Sequence, residues 1–235
     1  MKISFLGTNG WFNSPLGWTV CTMIEGEDEV VLLDAGTGLH RLAGKKLEKP
    51  ATLLVSHLHL DHTGGLHALR AINFSKLNIV AGKNASLLKT FSSPPLMAGP
   101  NEQVSTRDAS TSFPKQAFEL NHVIPNYGWR FELDGKKIAY TGDTGECSNL
   151  DRLASGVDVL ISECSMLPGG DGEWFHLNPE QAAGVAERNG VERLFLTHFS
   201  ASDYTRLAQR ANAEKVAKKI FPKTAAAKEE LVVEL

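Results

Sequence analysis

The chain has 235 residues, 42% of them hydrophobic and 22% charged, the balance of an ordinary globular protein. A formal net charge of −3 argues against a surface dedicated to nucleic acid, though it leaves room for a local basic patch. The sequence has no apolar run near the roughly 18–20 residues of a membrane span, and Cys21, Cys147 and Cys164 lie too far apart to suggest a disulfide framework, which points to reduced thiols in a cytoplasmic protein.

The N-terminus goes straight into a strand, Lys2 to Leu6, and then into the turn Gly7-Thr8-Asn9-Gly10, an opening that speaks against a signal peptide. Thr19 to Ile24 and Val30 to Leu33 read as further strands, with Cys21 serving as a small apolar residue. The second ends at Asp34-Ala35-Gly36, where Asp34 is either a turn residue or a brace for the loop that follows. A buried strand, Ala51 to Val55, runs into Ser56-His57-Leu58-His59-Leu60-Asp61-His62-Thr63-Gly64-Gly65, after which Leu66 to Arg70 starts a helix. Leu77 to Ala81 is a strand and the region around Ala85 to Thr90 a helix. The polar stretch 92–114, rich in Pro, Ser and Thr, reads as a long surface loop, either a lid or a spacer.

The second half repeats the habit of strand then helix. Phe118 to Asn121 is extended, and Tyr127 to Leu133 with Lys137 to Thr141 forms a hairpin across Asp134-Gly135. Val157 to Ser162 and Arg193 to Thr197 are buried strands, and Pro179 to Asn189 is an amphipathic helix. Asp203 to Ile220 is a helix with alanines and lysines on its wet face, and Leu231 to Leu235 is a closing strand. This order fits an α+β domain over residues 1–235, with two packed sheets covered by helices on both outer faces.

The histidine loop organises the rest. A loop between strand and helix can aim several side chains at one point, where imidazole suits zinc, manganese or iron and a carboxylate is a hard ligand or a proton acceptor. His122 stands at a strand end, followed by Pro125 and Tyr127-Gly128; Asp143 lies where a strand runs into a Gly turn. His198 closes a strand and His176 sits just ahead of a helix, so six of the eight histidines lie at strand ends or loop mouths. His40 and His67 fit no such pattern and belong on helical surfaces.

The pattern H-x-H-x-D-H over His57, His59, Asp61 and His62 resembles the metallo-β-lactamase superfamily, whose fold is a four-layer αββα sandwich. Hydrolysis of an anionic phosphodiester needs charge neutralisation and an activated water together, and two divalent cations about 3.5–4 Å apart supply both. His57, His59 and His122 can hold one, and Asp61, His62 and His198 the other, with Asp143 between them. Asp61 can alternatively orient or deprotonate the attacking water. In the superfamily an aspartate at the position of Asp34 braces the histidine loop, as metal sites require.

The resemblance sharpens to the ribonuclease Z and phosphodiesterase branch. It rests on Phe5-Leu6-Gly7-Thr8, the histidine loop, His122 with Pro125 and Gly128, and Tyr140-Thr141-Gly142-Asp143-Thr144. Glu163-Cys164, His176-Leu177 with Glu180 and Ala182, and Leu196-Thr197-His198-Phe199-Ser200 extend it over nearly the whole chain. The resemblance implies two metals, usually zinc and sometimes manganese. It also implies that His176, steered by Glu163, protonates the leaving oxygen, and that the protein is a homodimer. The other reading of His176 is a solvated histidine ahead of a helix.

Departures bear on the substrate. Ribonuclease Z carries a long arm, rich in Gly-Pro and basic residues, that grips tRNA, whereas Thr90 to Phe113 here has Gly99-Pro100 but Arg107 as its only basic residue. Binding tRNA through phosphates takes several Lys or Arg contacts. Ser200-Ala201-Ser202-Asp203-Tyr204 lacks the branch's Arg-Tyr, and the aromatic Trp11 to Trp18 segment replaces a polar, arginine-containing loop. The expectation is hydrolysis of a small or cyclic phosphodiester. The alternatives are tRNA 3′-end processing with a reduced arm, another superfamily hydrolysis (sulfate ester, thioester or lactone), and a non-catalytic metal-binding or RNA-binding protein. The intact ligand set argues against the last.

Overall fold

The computed structural model describes residues 1–91, 104–107, 115–170 and 175–235. Its longer strands are Lys2–Gly7 (β1), Cys21–Glu25 (β2), Val30–Leu33 (β3), Ala51–Leu54 (β4), Leu77–Val80 (β5) and Val104–Arg107 (β6). Gln116–Leu120 (β7), Asn126–Leu133 (β8), Lys136–Tyr140 (β9), Val159–Glu163 (β10), Arg193–Thr197 (β11), Thr224–Ala226 (β12) and Val232–Glu234 (β13) follow. One sheet runs β13-β1-β2-β3-β4-β5-β6 and the other β7 through β12 in chain order. In the first sheet β13, β1, β2 and β3 pair antiparallel and β3, β4, β5 and β6 parallel; in the second β7, β8 and β9 pair antiparallel and β9, β10, β11 and β12 parallel.

Residues two apart on a strand share a face, and this period places the core. Ile3, Phe5, Ile24, Val31, Leu33 and Leu54 of the first sheet meet Trp129, Phe131, Ile138, Tyr140, Ile161 and Phe195 of the second in one apolar layer. The alternate residues Leu32 and Leu53 turn outward under two 3₁₀ helices, Thr37–Leu42 and Leu66–Ala71, and under Leu88 of the helix Ala85–Phe91. On the other outer face Leu160, Leu194 and Leu196 pack beneath Ser148–Ala154, Pro179–Arg188 and Leu207–Lys218. The result is the expected αββα layering. Pro179–Arg188 starts where Asn178 and Gln181 close a reciprocal capping box.

Five local expectations change. Gly7 to Gly10 is more than a turn, because Asn9 and Gly10 pair in parallel with Phe199 and Ser200. Leu66–Ala71 winds as a 3₁₀ helix. The helix expected from Asp203 begins at Leu207: hydroxyls of Ser200 and Ser202 bond the Asp203 carboxylate and hold 200–203 in a turn. Its Ala213 and Ala217 are buried rather than wet, since small side chains allow close approach to the core. Within the stretch 92–114, Val104–Arg107 adds a parallel edge strand to the first sheet; the rest of that stretch lies outside the described residues. His40 and His67 lie exposed on the two 3₁₀ helices, as expected.

Candidate metal centre

The strands deliver the titratable side chains to one end of the two sheets. The end of β4 leads to His57 and His59, and the one-turn helix Leu60–Thr63 presents Asp61 and His62. The turn after β9 presents Asp143, and His198 follows β11 with a left-handed φ of 53°. Residues in that region cost about 1–3 kcal/mol each and persist where their surroundings hold them. Asp34, at φ 56°, is held in the same way at the end of β3.

Two donor sets result. In the first, His57 Nε2 lies 3.0 Å from His59 Nδ1 and 3.7 Å from Asp143 Oδ2, and His122 Nε2 lies 3.3 Å from His59 Nδ1. In the second, His62 Nε2 is 3.0 Å from His198 Nε2, and both are within 3.3 Å of Asp143 Oδ1. Asp61 Oδ2 completes it at 3.2 Å from His198 Nε2 and 3.7 Å from His62 Nε2. Four donors at bond lengths of about 2.0–2.1 Å around a tetrahedral ion are separated by about 3.3–3.4 Å. The observed spacings straddle that value.

The outer nitrogens fix the tautomers. Ser56 Oγ donates to Asp34 Oδ2 at 2.7 Å, so at its 3.0 Å contact with His57 it accepts from Nδ1–H. Asp34 Oδ2 accepts from His62 Nδ1–H at 2.6 Å and from the Tyr140 hydroxyl. Ser165 Oγ donates to the His198 carbonyl at 3.1 Å and accepts from His198 Nδ1–H at 2.7 Å, while a carbonyl at Phe175 faces His122 Nδ1. Each of these four rings thereby turns an Nε2 lone pair inward, the arrangement a ligated imidazole shows.

Asp143 Oδ1 is buried with no hydrogen-bond donor placed on it, yet it faces two Nε2 atoms. Acceptors converging in this way repel one another unless a cation or an extra proton lies among them. Burial disfavours an imidazolium at His62, but Asp143, Asp61 and Asp34 outweigh it and raise its pKa well above the ordinary histidine value. Burial lowers the pKa of His57, His59 and His122, which keeps that set in the neutral, ligating form. Burial opposes the charge of Asp61 and Asp143 too, and the surrounding histidines nonetheless hold both carboxyls below the usual range. The donor set fits divalent cations.

Beside it, His176 Nδ1 donates to Glu163 Oε1 at 2.8 Å. Glu163 is buried and also accepts the backbone N–H groups of Thr144 (2.8 Å) and Ser165 (3.0 Å). Burial works against the His176 imidazolium, but the Glu163 carboxylate prevails and lifts its pKa to about 9. The ring stacks at 5.9 Å on that of His198.

The structure therefore gathers His57, His59, Asp61, His62, His122, Asp143, His176, His198, Glu163 and Asp34 at one place. Sequence reasoning gave no role to Ser56 and Tyr140, although both lie inside quoted motifs, or to Ser165, which carries no sequence signal. It also missed two features of the N-terminal segment. The Trp11 N–H, at a left-handed φ of 71°, donates to Asp61 Oδ2 at 2.7 Å. Gly10 lies so close to His198 that an added Cβ would stand 2.5 Å from its ring.

A family profile described as a β-lactamase superfamily domain matches residues 29–199. Ribonuclease Z of Lacticaseibacillus casei is 26% identical over 296 aligned positions, covering 95% of this chain and 92% of the relative. Among solved structures, the metallo-β-lactamase fold protein YhfI from Bacillus subtilis is similar with a TM-score of 0.81 at 22% identity, covering 99% of this chain and 98% of that one. A diphosphatase of the PhnP family is similar with a TM-score of 0.74 at 17% identity, covering 100% and 97%. Among the described residues no helix is long and apolar enough to cross a membrane. The profile spans most of the chain, and the ribonuclease Z relative aligns over nearly all of it, so the protein belongs to the β-lactamase superfamily domain family and is a metal-dependent hydrolase.

Proposed function

We propose that the chain is a dinuclear metal-dependent phosphodiester hydrolase acting on a small or cyclic phosphodiester, within one hydrolase domain over residues 1–235. The observation that carries this reading is the pair of donor sets meeting at Asp143, with the His176–Glu163 pair at their edge. His57, His59 and His122 would hold one cation and Asp61, His62 and His198 the other, with Asp143 belonging to both donor sets. Two divalent cations there would acidify a water and neutralise charge developing on a phosphoryl oxygen. Zinc suits this imidazole-rich set best, and manganese and iron accept the same donors.

The remaining work falls to the chain's own groups. Glu163, itself anchored by two backbone N–H groups, holds His176 by Nδ1 and leaves Nε2 to pass a proton to the leaving oxygen. Asp61, steadied by the Trp11 N–H, orients the attacking water or takes its proton. Asp34 holds the ring of His62 and the hydroxyl of Ser56, which in turn sets His57.

A second reading, tRNA 3′-end processing with a reduced arm, is favoured by the likeness to ribonuclease Z over 95% of the chain. Against it, the alignment runs over 296 positions while this chain has 235 residues, so the relative carries insertions this chain lacks. A polyanion also calls for several basic contacts. Hydrolysis of sulfate esters, thioesters or lactones shares the scaffold, but the His176–Glu163 pair, part of the resemblance to the phosphodiesterase branch, speaks for the phosphodiester. A homodimer and a cytoplasmic location belong to the same reading.

The test is hydrolysis of bis(p-nitrophenyl) phosphate by protein of measured metal content, with 2′,3′-cyclic nucleotides and precursor tRNA in parallel. Turnover of the small diesters with about two metals per chain, and none of tRNA, is expected. Cleavage of tRNA would restore the second reading, and silence on every diester would end the first.

A further inference from the structure

Arg210, on the helix Leu207–Lys218, is only 3% exposed, although a guanidinium in a protein keeps its charge. Taking such a group out of water is costly unless it is hydrogen-bonded. Its two terminal nitrogens are aimed at consecutive residues of the N-terminal segment: Nη1 donates to Thr8 Oγ1 at 2.9 Å and Nη2 to Asn9 Oδ1. The guanidinium carbon stands 4.8 Å from the centre of the Phe199 ring. The segments of Thr8 and Phe199 are themselves laced together, the Phe199 N–H donating to the Thr8 carbonyl at 2.9 Å and the Ala201 N–H to the Gly10 carbonyl at 3.2 Å. Arg210 grips the seam at which Gly10 meets His198.

The guanidinium also fixes which way the Asn9 amide faces. Arginine has donors and no acceptor, so the amide oxygen turns toward it and the amide nitrogen turns the other way. Asn9 is wholly buried, and its Nδ2 reaches the Gly17 carbonyl at 2.8 Å, Ser14 Oγ at 2.9 Å and the Phe12 carbonyl at 3.3 Å. Reversed, the amide would set donor against donor at Arg210 and an acceptor against the two loop carbonyls. One side chain thus holds the inside of the loop 10–17. Glu229 closes its ends: Oε1 accepts the Thr8 N–H at 3.1 Å and the Trp18 N–H at 3.2 Å, and Oε2 pairs with Arg41 at 2.9 Å. Between these anchors the loop meets the donors at two points, the Trp11 N–H on Asp61 Oδ2 and Gly10 beside the His198 ring. Both donors belong to the second set.

Resting on the dinuclear reading above, we propose that Arg210 is a positioning residue for the second donor set, acting through Asn9 and the loop 10–17 on Asp61 and His198. Removing its fork frees the Asn9 amide to turn, and the loop loses the internal bonds that hold the Trp11 N–H on Asp61 and Gly10 against His198. The cation held by Asp61, His62 and His198 is then bound more weakly, and the cation held by His57, His59 and His122 is spared. A residue that merely supported the fold would weaken both together.

The experiment is zinc binding in competition with a chelator, which resolves the two affinities, with Tm measured on the same samples. Arg210→Met keeps bulk beside Phe199 but loses the fork; it should weaken one zinc affinity about 10–100-fold, as loss of a group that orients metal ligands does, and leave the other unchanged. Asn9→Ala should give the same split, and the double variant should be no weaker than either single one, because both act along one path. Ala211→Gly, at an exposed position of the same helix, weakens the helix; it should lower Tm without splitting the affinities. Arg210→Lys should recover only part of the loss, since an ammonium lacks the planar fork, and it carries the same test with a smaller split if Arg210→Met does not fold. Two affinities unchanged in the Arg210 variants, two weakened together, or the same split in Ala211→Gly would overturn this proposal alone. Unmodified protein that binds a single zinc ion would overturn the dinuclear reading beneath it and this proposal with it.

Discussion

The floor and the rim of the cleft are built on opposite plans. On the floor, His57, His62, Asp143 and His198 are almost wholly buried, and the outer nitrogen of each of the three rings is tied to Ser56, Asp34 or Ser165. On the rim, Trp11 and Asp203 are exposed, and Trp11 is fixed by its backbone rather than its side chain. Burial, with the outer ring nitrogens hydrogen-bonded, leaves the floor one geometry, which charge chemistry needs. The rim's exposed side chains lie outside that network and reach it through the Trp11 backbone N–H on Asp61.

Substitutions can break that contrast or sharpen it. The largest effect is expected at Asp143→Ala, which removes the carboxylate shared by both donor sets; metal content should fall and diester hydrolysis drop to background. Full metal by elemental analysis with undiminished turnover would rule out its bridging role. His176→Ala should lower kcat by about 10²–10⁴-fold, the usual contribution of a general acid, with metal content unchanged. An unaltered kcat would remove the residue from the chemistry.

Gly10→Ala tests how closely the floor is packed. The added methyl would press on the His198 ring, and a misplacement of about 1 Å costs roughly 10²-fold in rate; a normal rate would mean the ring yields without cost. Asp34→Asn keeps the shape but weakens the acceptor that orients His62, and metal affinity measured by chelator competition should fall about 10–100-fold. The smallest effect belongs to the rim: Trp11→Ala should keep both metals, because its N–H to Asp61 survives, and should change KM about tenfold. Loss of metal in that variant would erase the distinction between floor and rim.

The strands were the most legible part of the fold, and for a simple reason. Alternating or continuous apolar runs such as Val30 to Leu33 and Arg193 to Thr197 encode which faces are buried, and burial fixes the strand. The helix expected from Asp203 was misplaced at its start because Ser200, Ser202 and Asp203 prefer bonding one another to helix formation, a choice that periodicity does not record.

The sequence by itself determined the candidate donors, since His57, His59, Asp61 and His62 stand within six residues on one loop and His122, Asp143, His176 and His198 stand at recognisable strand and helix ends. It also determined the two-sheet architecture, through the period of its apolar residues. Only the tertiary structure decided which nitrogen each ring presents, because that depends on partners up to 53 residues away in the chain, such as the Phe175 carbonyl at His122. It alone brought the Trp11 N–H to Asp61 and Gly10 against His198, and put Trp11 and Asp203 in the lining of one cavity. Local pattern dictates which face of an element is buried; the atoms that meet there are fixed only when the sheets pack.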